Sequence, residues 1–218
     1  MKNGIATRRL YREGGGKAMN DDYFALLGEP RRPWLDAGAL KTRFHARVAR
    51  EHPDVADTAG KGGDAGAFSR LNVAYGVLND PRARLRHLLE LEQGEASPRH
   101  QPVPERIGAI FTRMGGRKQA IDRFLKKRAG AGSALARAML ADEQYQLAEQ
   151  AEAWLAELEA ERGWWLARLP EIDALWNREG SDRAALLPEL AAIAQALGYL
   201  DKWCAQMREG VVRLHLEE

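Results

Sequence analysis

The stretch Arg50-Glu51-His52-Pro53-Asp54-Val55 decides the reading of this chain. Before it runs a basic, amphipathic segment, Leu40 to Glu51. After it come a loop rich in Gly, Asp and Ala (Val55 to Gly66) and a second amphipathic segment, Ala67 to Asn79. A proline ends a helix because its ring removes a backbone donor and biases the residue before it away from the α region. His52 therefore sits at a helix C-terminus, with Asp54 in the exposed, mobile loop beyond.

Working outward, Asp21 to Leu27 reads as a short helix, with acids where the helix dipole favours them and Gly28 just past the end. A turn follows, Glu29-Pro30-Arg31-Arg32-Pro33-Trp34, and Asp36 is placed to cap the next helix. That helix, Ala37 to Glu51, carries Leu40, Phe44 and Val48 as a core stripe every four residues. Arg43, Arg47 and Arg50 repeat along one flank; Lys41 and His45 lie on the other. Such charges are ordinarily a solvated surface. Phe68, Leu71, Tyr75 and Leu78 give the second long helix its apolar stripe. Asn79-Asp80-Pro81 stops it, and Pro81 opens a basic helix, Arg82 to Leu91, with Leu85, Leu88 and Leu89 inward.

Composition bounds the possibilities. At 218 residues the chain is long enough for one large domain or two small ones, and 45% hydrophobic with 29% charged residues is ordinary for a globular protein. A net charge of +2 gives no global argument for nucleic acid or membrane. The single cysteine, Cys204, excludes an internal disulfide or a thiolate cluster, which suits a reducing, cytoplasmic compartment. No apolar run approaches the ~20 residues of a membrane span. The N-terminal stretch is basic and Gly-rich without the apolar core of a signal peptide, so 1–19 reads as a disordered tail, and Met19 is a second candidate start.

No chemistry of the chain's own is visible. Among His45, His52, His87, His100 and His215 no pair has metal-ligand spacing, and Gly14-Gly15-Gly16-Lys17 lacks the spacing and flanking elements of a phosphate loop. The expectation is no catalytic residue, no metal and no cofactor.

The residues Tyr23-Phe24 through Leu27-Gly28, the basic helix, His52-Pro53-Asp54, and Leu71 through Pro81 together resemble a J-domain over about residues 21–92. The match is closest to the HscB type, the co-chaperone of iron–sulfur cluster assembly. Pro30-Arg31-Arg32 followed by Leu35-Asp36, the loop after the tip lacking the usual basic residue and Asn-Pro, and the Leu88-Leu89 pair carry that subtype. The resemblance implies a chaperone-binding site made of His52, Pro53, Asp54, Lys41, Arg43, Arg47 and Arg50. The resemblance further implies that through it the protein would dock on a DnaK/HscA-class ATPase and stimulate ATP hydrolysis. Pro53 fixes the backbone, so docking costs little entropy. Asp54 suits a partner's Arg, and the Arg flank steers toward an acidic surface.

The remainder reads as a Pro-rich linker, 93–104, and a helical unit, 105–216, after a J-domain at 20–92. Glu105 to Arg128 is helical, with a break or kink expected at Gly115-Gly116. Ser133 caps a long helix from Ala134 to Leu169, on the order of 55 Å at ~1.5 Å per residue. Its seam is Leu147, Ala151, Leu155, Leu158, Trp165 and Leu169, with Arg162 its one charged position. Pro170 kinks it before it resumes toward Asn177. The last helix has an unbroken seam in steps of 4 and 3, from Leu186 through Leu190, Ile193, Leu197, Leu200, Cys204, Met207 and Val211 to Leu214. The expected fold is all-α: a J-domain hairpin plus an antiparallel three-helix bundle.

The resemblance also implies that this half holds an IscU-like iron–sulfur scaffold through the first helix of the bundle, at Ile110, Phe111, Met114 and Arg117. That stretch is basic and Gly-interrupted where the family is acid-rich, and simple bundle core is the competing reading of these residues. Two other functions stay open: a generic J-domain adaptor with another client, and a self-associating helical protein with an inactive J-domain.

Overall fold

The computed structural model describes residues 21–51, 65–93 and 102–216, and every regular element among them is an α-helix. The tail at 1–19, His52-Pro53-Asp54 with nearly all of the Gly-rich loop, and residues 94–101 of the linker lie outside the described residues.

Helix α1 (Tyr23–Leu27) starts where the Asp22 carboxylate accepts the Phe24 and Ala25 N–H groups at 3.0 and 3.2 Å. It stops at Gly28, whose φ of 70° lies in the left-handed region that a side chain resists. Helix α2 (Ala37–Glu51) has the expected bounds, and Asp36 caps it by accepting the Ala39 N–H at 2.7 Å. Helix α3 (Ala65–Asn79) packs on α2 through Phe44 stacked on Tyr75, with ring centroids 4.4 Å apart. Leu40, Leu71, Ala74 and Leu78 are buried between them and α1; Phe68, expected in that stripe, is instead 43% exposed. Helix α4 (Pro81–Gln93) opens on Pro81, with Asp80 accepting the Ala83 N–H at 2.6 Å, and outlasts its expected end by two residues.

In the C-terminal half, α5 (Glu105–Ala129) runs unbroken through Gly115-Gly116, against the expected break. Both glycines face solvent, while Met114 and Ile121 on either side are buried, so tertiary packing outweighs the local cost of about 1 kcal/mol per glycine. The long helix expected from Ala134 is two: α6 (Ala134–Ala138), capped by Ser133 accepting the Ala136 N–H at 3.1 Å, and α7 (Ala141–Ala167). The chain turns at Met139 and Leu140, which buries Leu140 and leaves Leu135 and Met139 exposed. With 27 residues, α7 is about 40 Å long rather than 55. Pro170 falls in the first turn of α8 (Leu169–Trp176), where its missing donor costs nothing, and α9 (Arg183–His215) follows.

Ion pairs, and a hydrogen bond between Glu152 and His215, fix the direction of these helices. Along α7 and α9, Glu152 meets His215, Glu159 meets Arg208, Arg162 meets Asp201, and Arg168 just past the end of α7 meets Glu189, so the two run antiparallel. Between α5 and α7, Arg106 meets Glu161, Arg117 meets Glu157, and Lys127 meets Glu143, again antiparallel. The 4-3 seam of α9 is buried from Leu190 to Met207 and again at Leu214. Of the adjacent tryptophans, Trp165 is buried. Trp164 is 41% exposed, with the Arg106 and Arg168 guanidinium groups 4.1 and 5.4 Å from its ring centroid.

The two halves touch at named groups. Helix α4 lies on α9, with the Arg82 guanidinium against Gly198: a Cβ there would come within 2.9 Å of Arg82 Nε. The Pro30–Trp34 turn reaches α8. Arg32 grips Asp173 with two parallel bonds, the Trp34 N–H donates to Asp173 Oδ1 at 3.3 Å, and the Trp176 indole donates to the Arg31 carbonyl at 2.9 Å.

Candidate functional site

The outer face of α2 carries the basic residues singled out above. Leu40 is fully buried and Phe44 and Val48 pack against the core, which turns Lys41, Arg43 and Arg50 outward. The flank is not uniform. Arg43 pairs with Glu29, whose side chain is 3% exposed, so Arg43 also neutralises a buried carboxylate. The half-buried Arg47 lies over Gly28, with Nη2 3.2 Å from where a Cβ would stand. Arg50 is exposed in the last turn, where a cation complements the helix dipole. The face leads directly to His52-Pro53-Asp54, outside the described residues.

Beneath it the hairpin is held by polar groups that the sequence reading passed over. His87 is 4% exposed, its ring near those of Tyr23 and Phe24, with centroids 4.5 and 5.7 Å away. Its Nε2 accepts the Tyr23 N–H at 3.1 Å, so the imidazole is neutral with its proton on Nδ1. Burial pushes its pKa down; Asp22 and Glu90 oppose that, and Arg31 adds to it. Arg84 is also buried. It donates Nε to the Pro33 carbonyl at 3.0 Å and Nη1 to the Leu78 carbonyl at 2.6 Å, and burial pushes its pKa down to about 10 against the pull of Asp80 and Asp173. Nothing in the spacing of these residues marks them, because their partners lie across the fold.

The four residues singled out on α5 separate. Ile110 and Met114 are buried at 6% and 4%. The half-buried Arg117 pairs with Glu157. Phe111 stands 63% exposed, its ring 6.2 Å from that of Trp203, which in turn is 5.6 Å from Tyr199. The three rings make an aromatic patch across α5 and α9. Trp203 sits one position off the α9 seam, between Leu200 and Cys204, and this offset is the only sequence signal that could have marked it.

Among the described residues no group of three His, Cys, Asp or Glu could hold a metal ion, and no helix is long and apolar enough to cross a membrane.

No family model matches the chain. It is 34% identical over 145 residues to a co-chaperone protein HscB homolog of Bordetella avium, covering 63% of this chain and 79% of that protein. It is 37% identical over 75 residues to the HscB homolog of Chromobacterium violaceum, covering 33% of this chain and 43% of that protein, and 41% identical over 73 residues to that of Bordetella petrii, covering 32% and 43%. A basic-faced helical hairpin flanking a His-Pro-Asp segment, followed by further helices, is the make-up of a J-domain co-chaperone. The chain belongs to the HscB family of co-chaperones.

Proposed function

We propose that this protein stimulates the ATPase of a DnaK/HscA-class chaperone and delivers an iron–sulfur cluster scaffold protein to it in the cytoplasm. The observation that carries the first half is the exposed basic face of α2, which ends on His52-Pro53-Asp54. Lys41, Arg43, Arg47 and Arg50 steer the encounter with an acidic surface, and the tip, pre-shaped by Pro53, docks. Stimulation requires that this docking favour one conformational state of the ATPase over another. Residues 20–92 act as the J-domain, 93–104 as the linker and 105–216 as the client-binding half.

Client docking is assigned to Phe111, with Trp203 and Tyr199 beside it. An exposed aromatic backed by a buried ring, Trp203, and a half-buried one, Tyr199, is the kind of anchor that dominates an interface. Ile110 and Met114 support it from the core side.

A steady-state ATPase assay tests the first half: wild type accelerates hydrolysis and His52→Gln does not. Equal stimulation by the variant overturns the reading. For the second half, Phe111→Ala weakens binding to a purified scaffold about tenfold while leaving ATPase stimulation intact. Undiminished binding removes the scaffold from this surface.

A further inference from the structure

The sequence places Gly198 just before Tyr199 and one turn before Lys202 on α9. A glycine inside a 33-residue helix is disfavoured against alanine. Here the missing side chain makes room for a cation from the other half of the molecule. A Cβ at Gly198 would stand 2.9, 3.0 and 3.1 Å from Nε, Cζ and Nη2 of Arg82 on α4. These near-equal distances set the guanidinium plane across the glycine, which leaves its N–H edges to other partners. Arg82 is half-buried and Lys202 is exposed. Among the described residues neither pairs with a carboxylate.

These two cations border the rings of Tyr199, Trp203 and Phe111. On α5, Gly108 and Gly115 lie about one turn either side of Phe111, with no atom within 4 Å of a Cβ at either, so the ring stands clear of neighbours along its own helix. The acids of the two helices are engaged or turned away. Asp201 pairs with Arg162 at 2.8 Å, and Asp122 pairs with Lys118. Glu209 lies about 10 Å beyond Lys202 along α9, and Glu105 projects about 120° away from Phe111 around α5. The fixed charges bordering the rings are therefore positive, and an apolar surface inside a charged border is a mark of a binding site.

We propose that Arg82, Lys202 and the three rings form one client site that spans both halves of the molecule and selects an acidic surface on a protein partner. An apolar side chain of the partner lies against Phe111 and Trp203, and its flanking carboxylates meet Arg82 and Lys202. Guanidinium groups bind carboxylates through paired, directional N–H bonds, and an ammonium adds a point charge. Border charges of one sign decide which partner is accepted, since a basic client would meet like charges. This rests on the reading of Phe111 as the client anchor, and adds the sign of the client's charge and the share taken by α4.

Two titrations of the full chain test it. The first follows backbone NMR with the acetylated and amidated peptide Glu-Glu-Leu-Phe-Glu-Glu and its counterpart Lys-Lys-Leu-Phe-Lys-Lys. Saturable shifts are expected at Phe111, Gly198, Tyr199 and Trp203 with the acidic peptide, fading at high salt, and none with the basic one. Lys202→Glu removes the preference and Lys202→Arg keeps it. Equal shifts with both peptides, shifts that map elsewhere, or no shift at millimolar peptide overturns the proposal. The second titration uses a purified scaffold protein: Lys202→Glu weakens binding about tenfold, Lys202→Arg does not, and ATPase stimulation without client is the same in both variants. Scaffold binding that ignores Lys202→Glu overturns the proposal and leaves the Phe111 reading standing. Charge-selected peptide binding with no scaffold binding does the reverse: it supports the acidic-partner site and removes the scaffold as its client.

Discussion

Arg32 and Asp173, 141 positions apart, form a two-pronged ion pair in which the carboxylate side chain is 5% exposed. The Asp173 partner raises the pKa of Arg32, so the guanidinium stays charged at any physiological pH. It joins the turn after α1 to α8, and so holds the hairpin that carries the basic face against the C-terminal helices. Asp173→Ala would leave Arg32 and the neighbouring Arg84 without their shared counter-charge. Arg32 is partly exposed and can still reach water, so losing these bonds costs about 1–3 kcal/mol. Urea unfolding should show that loss, and a change under about 0.5 kcal/mol would mean that the pair is incidental to stability.

His87 gives the hairpin a pH dependence. Its folded pKa lies below the unfolded value of about 6.5, so the unfolded state binds more protons in the interval between them. Its contribution is fully present above about pH 6.5 and is lost as pH falls toward the folded pKa. Protonation also removes the acceptor for the Tyr23 N–H. Wild type should therefore lose more stability between neutral and mildly acidic pH than His87→Gln does, measured as the shift in urea midpoint. Parallel shifts in the two proteins would assign the acid sensitivity to carboxylates instead.

The basic flank divides by what each residue does at home. Arg43→Ala should lower stability by about 1–3 kcal/mol, since it strands the Glu29 carboxylate, as well as slowing association with the ATPase. Arg50→Ala should slow association with a stability change within about 0.5 kcal/mol. Stopped-flow association at two salt concentrations, set beside thermal melts, separates the two. If both variants melt alike, the Arg43–Glu29 pair contributes nothing.

Gly116→Ala tests the uninterrupted α5. No atom lies within 4 Å of a Cβ at that position, so the substitution meets no clash and gains helix propensity. An increase in stability of about 1 kcal/mol is expected. A decrease would show that a local distortion at Gly115-Gly116 is needed.

Sequence legibility followed the range of the interactions. Gly28, Asp36 and Ser133 were readable as caps because capping is settled within three or four residues. The seam of α9 was readable because its steps of 4 and 3 are a property of one helix alone. The kink at Gly115-Gly116 and a single helix from Ala134 were misread. In both places local preference was overruled by what packs alongside: Met114 and Ile121 hold α5 straight, and burial of Leu140 breaks the chain before α7.

By itself, then, the sequence determined the bounds of α2, the all-α class and the resemblance carried by His52-Pro53-Asp54 and its flanks. Tertiary structure decided which side chain of a promising set is exposed, as at Phe111 against Ile110 and Met114, and which charge is already spoken for, as at Arg43. It also decided how the two halves meet, through Arg32 and Asp173. The physical reason is common to all three: burial and pairing belong to two elements at once, and periodicity along one element is silent about the other.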